Sequence, residues 1–139
     1  MIRAVLATNT IVSAVFWRGS PRQVYQTVLE QQVKPIVSEL LLMELDRVLH
    51  YEKFVNALAA LGISAEDVVS EYRELAETVI PTEIPPDVVR DSTDQAVLAC
   101  AIAGKVDFII SGDKDLLVLS TFENIPIVSA NQFLERLPR

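Results

Sequence analysis

Met1–Ala14 reads MIRAVLATNTIVSA, and the way this stretch changes character decides the fold. Ile2, Val5 and Leu6 begin an apolar run without solvent-facing alternation, the pattern of a strand buried on both faces. The run stops at Ala7-Thr8-Asn9-Thr10, small and mostly polar. A buried strand that gives way to hydrogen-bonding residues delivers its carboxyl end to a crevice, where ligands bind in open α/β sheets. Ala7 stands where such a crevice needs a charged or liganding group.

Outward from this strand, short apolar segments alternate with helical ones. Trp17-Arg18-Gly19-Ser20-Pro21 reads as a loop and helix start, with Ser20 as N-cap and Pro21 first in the helix. Val24, Val28 and Leu29 carry that helix to about Gln32, and Lys34–Val37 predicts a second strand. Ser38 caps a helix through Leu41, Leu45 and Val48 to about His50, with Glu39 in its electropositive first turn. Tyr51–Leu61, ended by Gly62, and Ser64–Thr78 predict two more helices. Residues 81–86, with Pro81, Pro85 and Pro86, read as a crossover too short to separate domains. Ser92 and Gln95 form a capping-box pattern opening a helix that Gly104 terminates. Val106–Ile110 and Pro126–Val128 predict further strands, and Ser129 with Gln132 repeats the capping box before a last helix at Phe133–Leu137. The alternation predicts an α/β protein: a three-layer α/β/α sandwich with a short parallel sheet, one domain over residues 1–139.

Composition narrows the partners. Half of the 139 residues are hydrophobic and only 6% aromatic, so the core is built from Val, Ile, Leu and Ala. No apolar run approaches the roughly 20 residues of a membrane span, and no signal sequence is evident. The single cysteine, Cys100, excludes an internal disulfide, and a cytoplasmic location is expected. With 19 acidic and 12 basic residues the net charge is −7, which argues against a nucleic-acid coat protein. It leaves room for a metal-dependent nuclease, whose acidic pocket is offset by cations.

Three carboxylates break the local pattern. Glu44 lies on or beside the apolar stripe of its helix, although pairing with Arg47 at i+3 accounts for it equally well. Asp94 shares the stripe of Val97, Leu98 and Ala101, while a helix-dipole or capping role is the simpler reading. Asp113, with Asp115 two residues on, follows a buried strand through Ser111 and Gly112, where Asp-rich turns are common. Ala7, the helix of Glu44 and Asp113 all leave carboxyl ends of strands. Acidic groups gathered on one sheet edge repel unless hard cations such as Mg²⁺ or Mn²⁺ lie between them.

Leu6-Ala7-Thr8-Asn9, Ser38 with Glu44, Asp94 leading into Gln95–Ala101, and Ser111-Gly112-Asp113-Lys114-Asp115-Leu116 together resemble the PIN-domain family. The nearest likeness is to VapC-type toxins of toxin–antitoxin pairs, and it extends through nearly the whole chain. The resemblance implies an endoribonuclease dependent on Mg²⁺ or Mn²⁺ that leaves a 5′-phosphate and a 3′-hydroxyl. It places Glu44, Asp94 and Asp113 as metal-binding catalytic residues, with Asn9, Ser111 and Asp115 as accessory groups. The family's first Asp falls at position 7, so Ala7 implies an impaired or inactive form. An RNA substrate, a cognate antitoxin covering the acidic cleft and a homodimer are implied as well.

A non-catalytic PIN-fold module that binds protein or RNA is the competing expectation, favoured by Ala7 and opposed by the three retained carboxylates. A phosphoacceptor receiver is disfavoured, because its acidic pair after the first strand is absent. Arg18, Arg22, Lys53, Lys105 and Lys114 are candidates to meet a backbone. Trp17 beside Arg18 is placed to stack on a base, although a loop anchor or dimer contact is the plainer reading. His50 lacks partners at zinc spacing, and Cys100 reads as a core residue.

Overall fold

The structure, a computed structural model, describes residues 1–138; the last residue of the domain expected over 1–139 lies outside them. The opening strand, β1 (Ile2–Leu6), forms as its apolar run predicts, with Ala4 and Val5 fully buried. Parallel partners lie on both sides of it. One is β2 (Val33–Val37), which pairs Ile2 with Val33. The other is β4 (Phe108–Ile110), which pairs Leu6 with Ile110. With β3 (Glu77–Thr78), β5 (Thr121–Phe122) and β6 (Ile125–Val128) the sheet has the order β3-β2-β1-β4-β6-β5. Among the described residues only β5 runs antiparallel. Val5, Ile36, Ile109 and Ile110 have no exposed surface, so the sheet centre is the core. Burying such a side chain contributes about 1.5–3 kcal/mol.

Among the described residues eight helices surround the sheet: α1 (Thr8–Phe16), α2 (Ser20–Leu29), α3 (Glu39–Leu49), α4 (Glu52–Leu61), α5 (Ala65–Leu75), α6 (Ser92–Gly104), α7 (Lys114–Leu117) and α8 (Ala130–Arg136). Helix α2 packs on α1 and α8, and α6 packs on β1, β2 and β4, which gives the α/β/α arrangement. The approach of α6 to β2 needs Gly104, because a Cβ there would sit 2.5 Å from Ile36 Cγ2. Among the described residues no helix is long and apolar enough to cross a membrane.

Several boundaries differ from the sequence pattern. Helix α1 is unforeseen: Thr, Ile and Val are weak helix formers, and burial of Thr10, Ile11 and Val12 overrides that propensity. The N-cap of α2 is Gly19 (φ 129°) rather than Ser20, whose hydroxyl reaches Asn131, and the helix stops at Leu29. Helix α5 ends at Leu75 and not Thr78, because Glu77 and Thr78 are drawn into pairing with β2. Asp91, not Ser92, caps α6, and Gln95 turns to the carbonyls of Pro86 and Val89, so no capping box forms there. Gly104 is the last residue of α6, with Lys105 taking the left-handed cap at φ 50°. The strand expected from Val106 starts at Phe108; strand β5, too short to show a period, is also unforeseen. The capping boxes of α5 (Ser64 with Asp67) and α8 (Ser129 with Gln132) are closed in both directions. Helix α8 opens at Ala130, ahead of the expected Phe133.

Candidate functional site

Chain direction across the sheet reverses between β1 and β4: from β1 it moves outward to β2 and β3, then returns to β4 and continues to β6. A reversal of this kind opens a crevice at the carboxyl ends of the two strands. Ala7 N–H donates to Ile110 O (2.9 Å) and Ser111 N–H to Val128 O (3.0 Å), so both strand ends are anchored where the crevice begins. A cleft of about 400 Å³ lies here, and Ala7, Asn9, Glu44, Asp94 and Asp113 all contribute to its wall.

The turn after β4 is held by one hydrogen bond to the Asn9 side chain and by local ones. Gly112 N–H donates to Asn9 Oδ1 (3.2 Å), and Asp113 N–H donates to Oγ of the fully buried Ser111 (3.0 Å). Asp113 in turn caps α7, accepting from Asp115 N–H at 2.8 Å. On the other side Asp91 accepts from the N–H groups of Thr93 (2.7 Å) and Asp94 (3.3 Å), fixing the first turn of α6. That turn directs Asp94 into the cleft.

As a result, one carboxylate oxygen from each of Asp94, Asp113 and Asp115 lies within 4.8 Å of the other two. Asp94 is buried, and its Oδ2 has no hydrogen-bond partner among the described residues. Burial, and after it the charges of Asp113, Asp91 and Asp115, push its pKa up to about 6. A buried acceptor with no donor, facing two like charges, is unfavourable by itself. A hard divalent cation would supply the missing charge and ligation. The donor set therefore fits such an ion.

Glu44 lines the same cleft but stands outside this cluster. Its carboxylate forms a two-point pair with Arg47, Oε2 to Nε at 3.0 Å and Oε1 to Nη2 at 2.6 Å, and Arg47 Nη1 also reaches the Tyr51 hydroxyl (2.8 Å). Glu44 is thus the i+3 partner of Arg47 and lines the cleft, but it is not among the clustered carboxylates with which the resemblance grouped it. Asp115 belongs to the acidic group, and Asn9 and Ser111 shape its turn. Ala7 is 4% exposed and is the N-cap of α1, where its methyl offers no acceptor to the helix.

Asp91, three residues before Asp94, serves as the N-cap of α6 and lines the cleft. Arg47 appeared only as a partner of Glu44 and its place in the cleft was missed; its i+3 spacing was the available signal. His50 ends α3 with Nδ1 2.7 Å from Asp46 O, and Cys100 is buried with a free thiol.

A family model described as a PIN domain matches residues 3–115 of the chain. Over 63 residues, 45% of its length, the chain is 38% identical to a protein of Pelagibacter ubique (strain HTCC1062) named ferrochelatase. It spans only 17% of that relative, so the likeness is local.

Proposed function

Because the chain belongs to the PIN-domain family, whose members are generally metal-dependent nucleases acting on RNA or DNA, we propose that it is an endoribonuclease impaired at residue 7. In this reading it requires Mg²⁺ or Mn²⁺ and is the toxin of a type II toxin–antitoxin pair. The observation that carries the reading is the convergence of Asp94, Asp113 and Asp115 within 4.8 Å around a buried oxygen that lacks a partner. Asp94 and Asp113 would hold the cation, with Asp115 at the rim and Glu44 contributing from α3. A bound ion of this kind lowers the pKa of coordinated water and polarises the phosphodiester.

The chain's own residues set the stage for that chemistry. Ser111 and Asn9 hold the Asp113 turn, and Asp91 orients Asp94 through the backbone of α6. Arg47, paired with Glu44, is the basic residue among those lining the cleft. Ala7 removes the carboxylate that the resemblance puts first. Exposed Leu40 and Met43, one turn apart on α3, support a protein interface of the kind a homodimer or antitoxin would use.

Ala7→Asp is expected to raise Mg²⁺- or Mn²⁺-dependent RNA cleavage at least about 100-fold, beyond what loss of an outer-shell partner costs. Chelator should abolish the gain. If the restored protein cleaves no RNA, the non-catalytic interaction module, which Ala7 favours, replaces this reading.

A further inference from the structure

Trp17 is unexplained by the acidic cluster. It follows α1, donates its backbone N–H to Ser13 O (3.0 Å) and is 55% exposed. An indole is a large apolar surface that folding ordinarily buries, yet the single tryptophan of this chain faces solvent. The ring is held in place all the same. Phe16 meets it edge-to-face at 5.8 Å and Phe54 at 6.4 Å, and these two phenyl rings stack on each other at 4.9 Å. Trp17 lines both the acidic cleft and an adjoining hollow of about 380 Å³ against Phe54 and Leu61.

The ring has acidic groups on its cleft side, while on the side of the hollow the charged lining residue is Lys53. Arg18 follows it directly, and Lys53 places Nζ 5.0 Å from the Phe54 ring centroid. Neither cation forms a salt bridge among the described residues. In a chain of net charge −7, two cations without a salt bridge, one next to Trp17 in the chain and one lining the same hollow, accompany this fixed, exposed ring. Single-stranded nucleic acid is bound by this combination, a base on the ring and phosphates on the cations. A duplex keeps its bases stacked on one another and presents no free face.

We propose that Trp17 is a base-stacking subsite for single-stranded RNA at the edge of the acidic cleft, with Arg18 and Lys53 receiving the flanking phosphates. The subsite deepens the nuclease reading and rests on it, supplying the contact to substrate that carboxylates lack.

The chain with Ala7 in place and chelator present is suited to the test, since it is expected to bind without cutting. Single-stranded RNA of mixed sequence should quench Trp17 emission saturably. The same sequence as a duplex, or with abasic residues throughout, should leave it unchanged. By anisotropy of labelled RNA, Trp17→Ala should weaken binding roughly 5- to 150-fold, the effect of losing one base–aromatic stack. Trp17→Phe should retain most of the affinity, and the quench in the unsubstituted chain makes the test independent of how Trp17→Ala folds. Emission unmoved by saturating single-stranded RNA overturns the subsite. So does emission that follows protein concentration alone, which assigns the ring to a contact between copies. The two readings also part cleanly: cleavage by Ala7→Asp with Trp17 unquenched removes the subsite only. Quenching without cleavage by that variant removes the nuclease only.

Discussion

Asp94 is a carboxylate that the fold holds in an unfavourable place. Its pKa is pushed up to about 6, by burial first and then by neighbouring Asp113, Asp91 and Asp115, from an ordinary 3.8. Between those values the folded chain binds more protons than the unfolded one. In the absence of metal, stability from this group is therefore complete below about pH 4 and is lost as pH rises through about 6. Asp94→Asn should remove this dependence and, in chelator at neutral pH, raise stability by about 1 kcal/mol once screening in the open cleft is allowed for. Thermal melts of both proteins across pH check it, and a variant that melts no higher at pH 7 contradicts it. The same substitution should abolish any stabilisation by Mn²⁺. The residue was visible in the sequence as an acid on an apolar stripe; its unpartnered oxygen was not, because that depends on groups from β4 and α7.

Helix α6 shows where local rules mislead. Ser92 and Gln95 satisfy a capping-box pattern, yet the chain arriving from residues 81–86 puts Asp91 in the cap geometry and gives Gln95 two loop carbonyls to bind. Asp91→Ala should cost about 1 kcal/mol as a lost N-cap, and Ser92→Ala should change stability by less than about 0.5 kcal/mol. Chemical denaturation of the two variants separates them; equal losses would restore the capping box. Asp91→Ala should also weaken metal binding, because the cap orients Asp94. Helix α1 teaches the converse: its residues favour a strand, and the burial of Thr10, Ile11 and Val12 makes it a helix.

At the scale of the molecule the site exists because the strand order reverses between β1 and β4. Residues 7, 94 and 113 come from distant parts of the chain and meet only in the assembled sheet. Ala7→Asp adds a carboxylate to that meeting point, so Mn²⁺ should raise its melting temperature more than that of the present chain. At a metal concentration 100-fold above Kd the stabilisation would be about 2.7 kcal/mol. Equal metal-induced shifts in melts of the two proteins would show that position 7 lies outside the metal site. What the sequence determined by itself was the character of most elements and three of the carboxylates that line the cleft, Glu44, Asp94 and Asp113. Hydrophobic period, caps such as Ser38 and Ser129, and polar breaks after buried strands are local properties, readable one segment at a time. Tertiary structure alone decided that a carboxylate oxygen of Asp115 comes within 4.8 Å of those of Asp94 and Asp113 while Glu44 stays outside that cluster, and that Trp17 stands at the edge of the cleft in the open. Those outcomes follow from strand order and helix packing, because like charges approach only where the rest of the fold compels them.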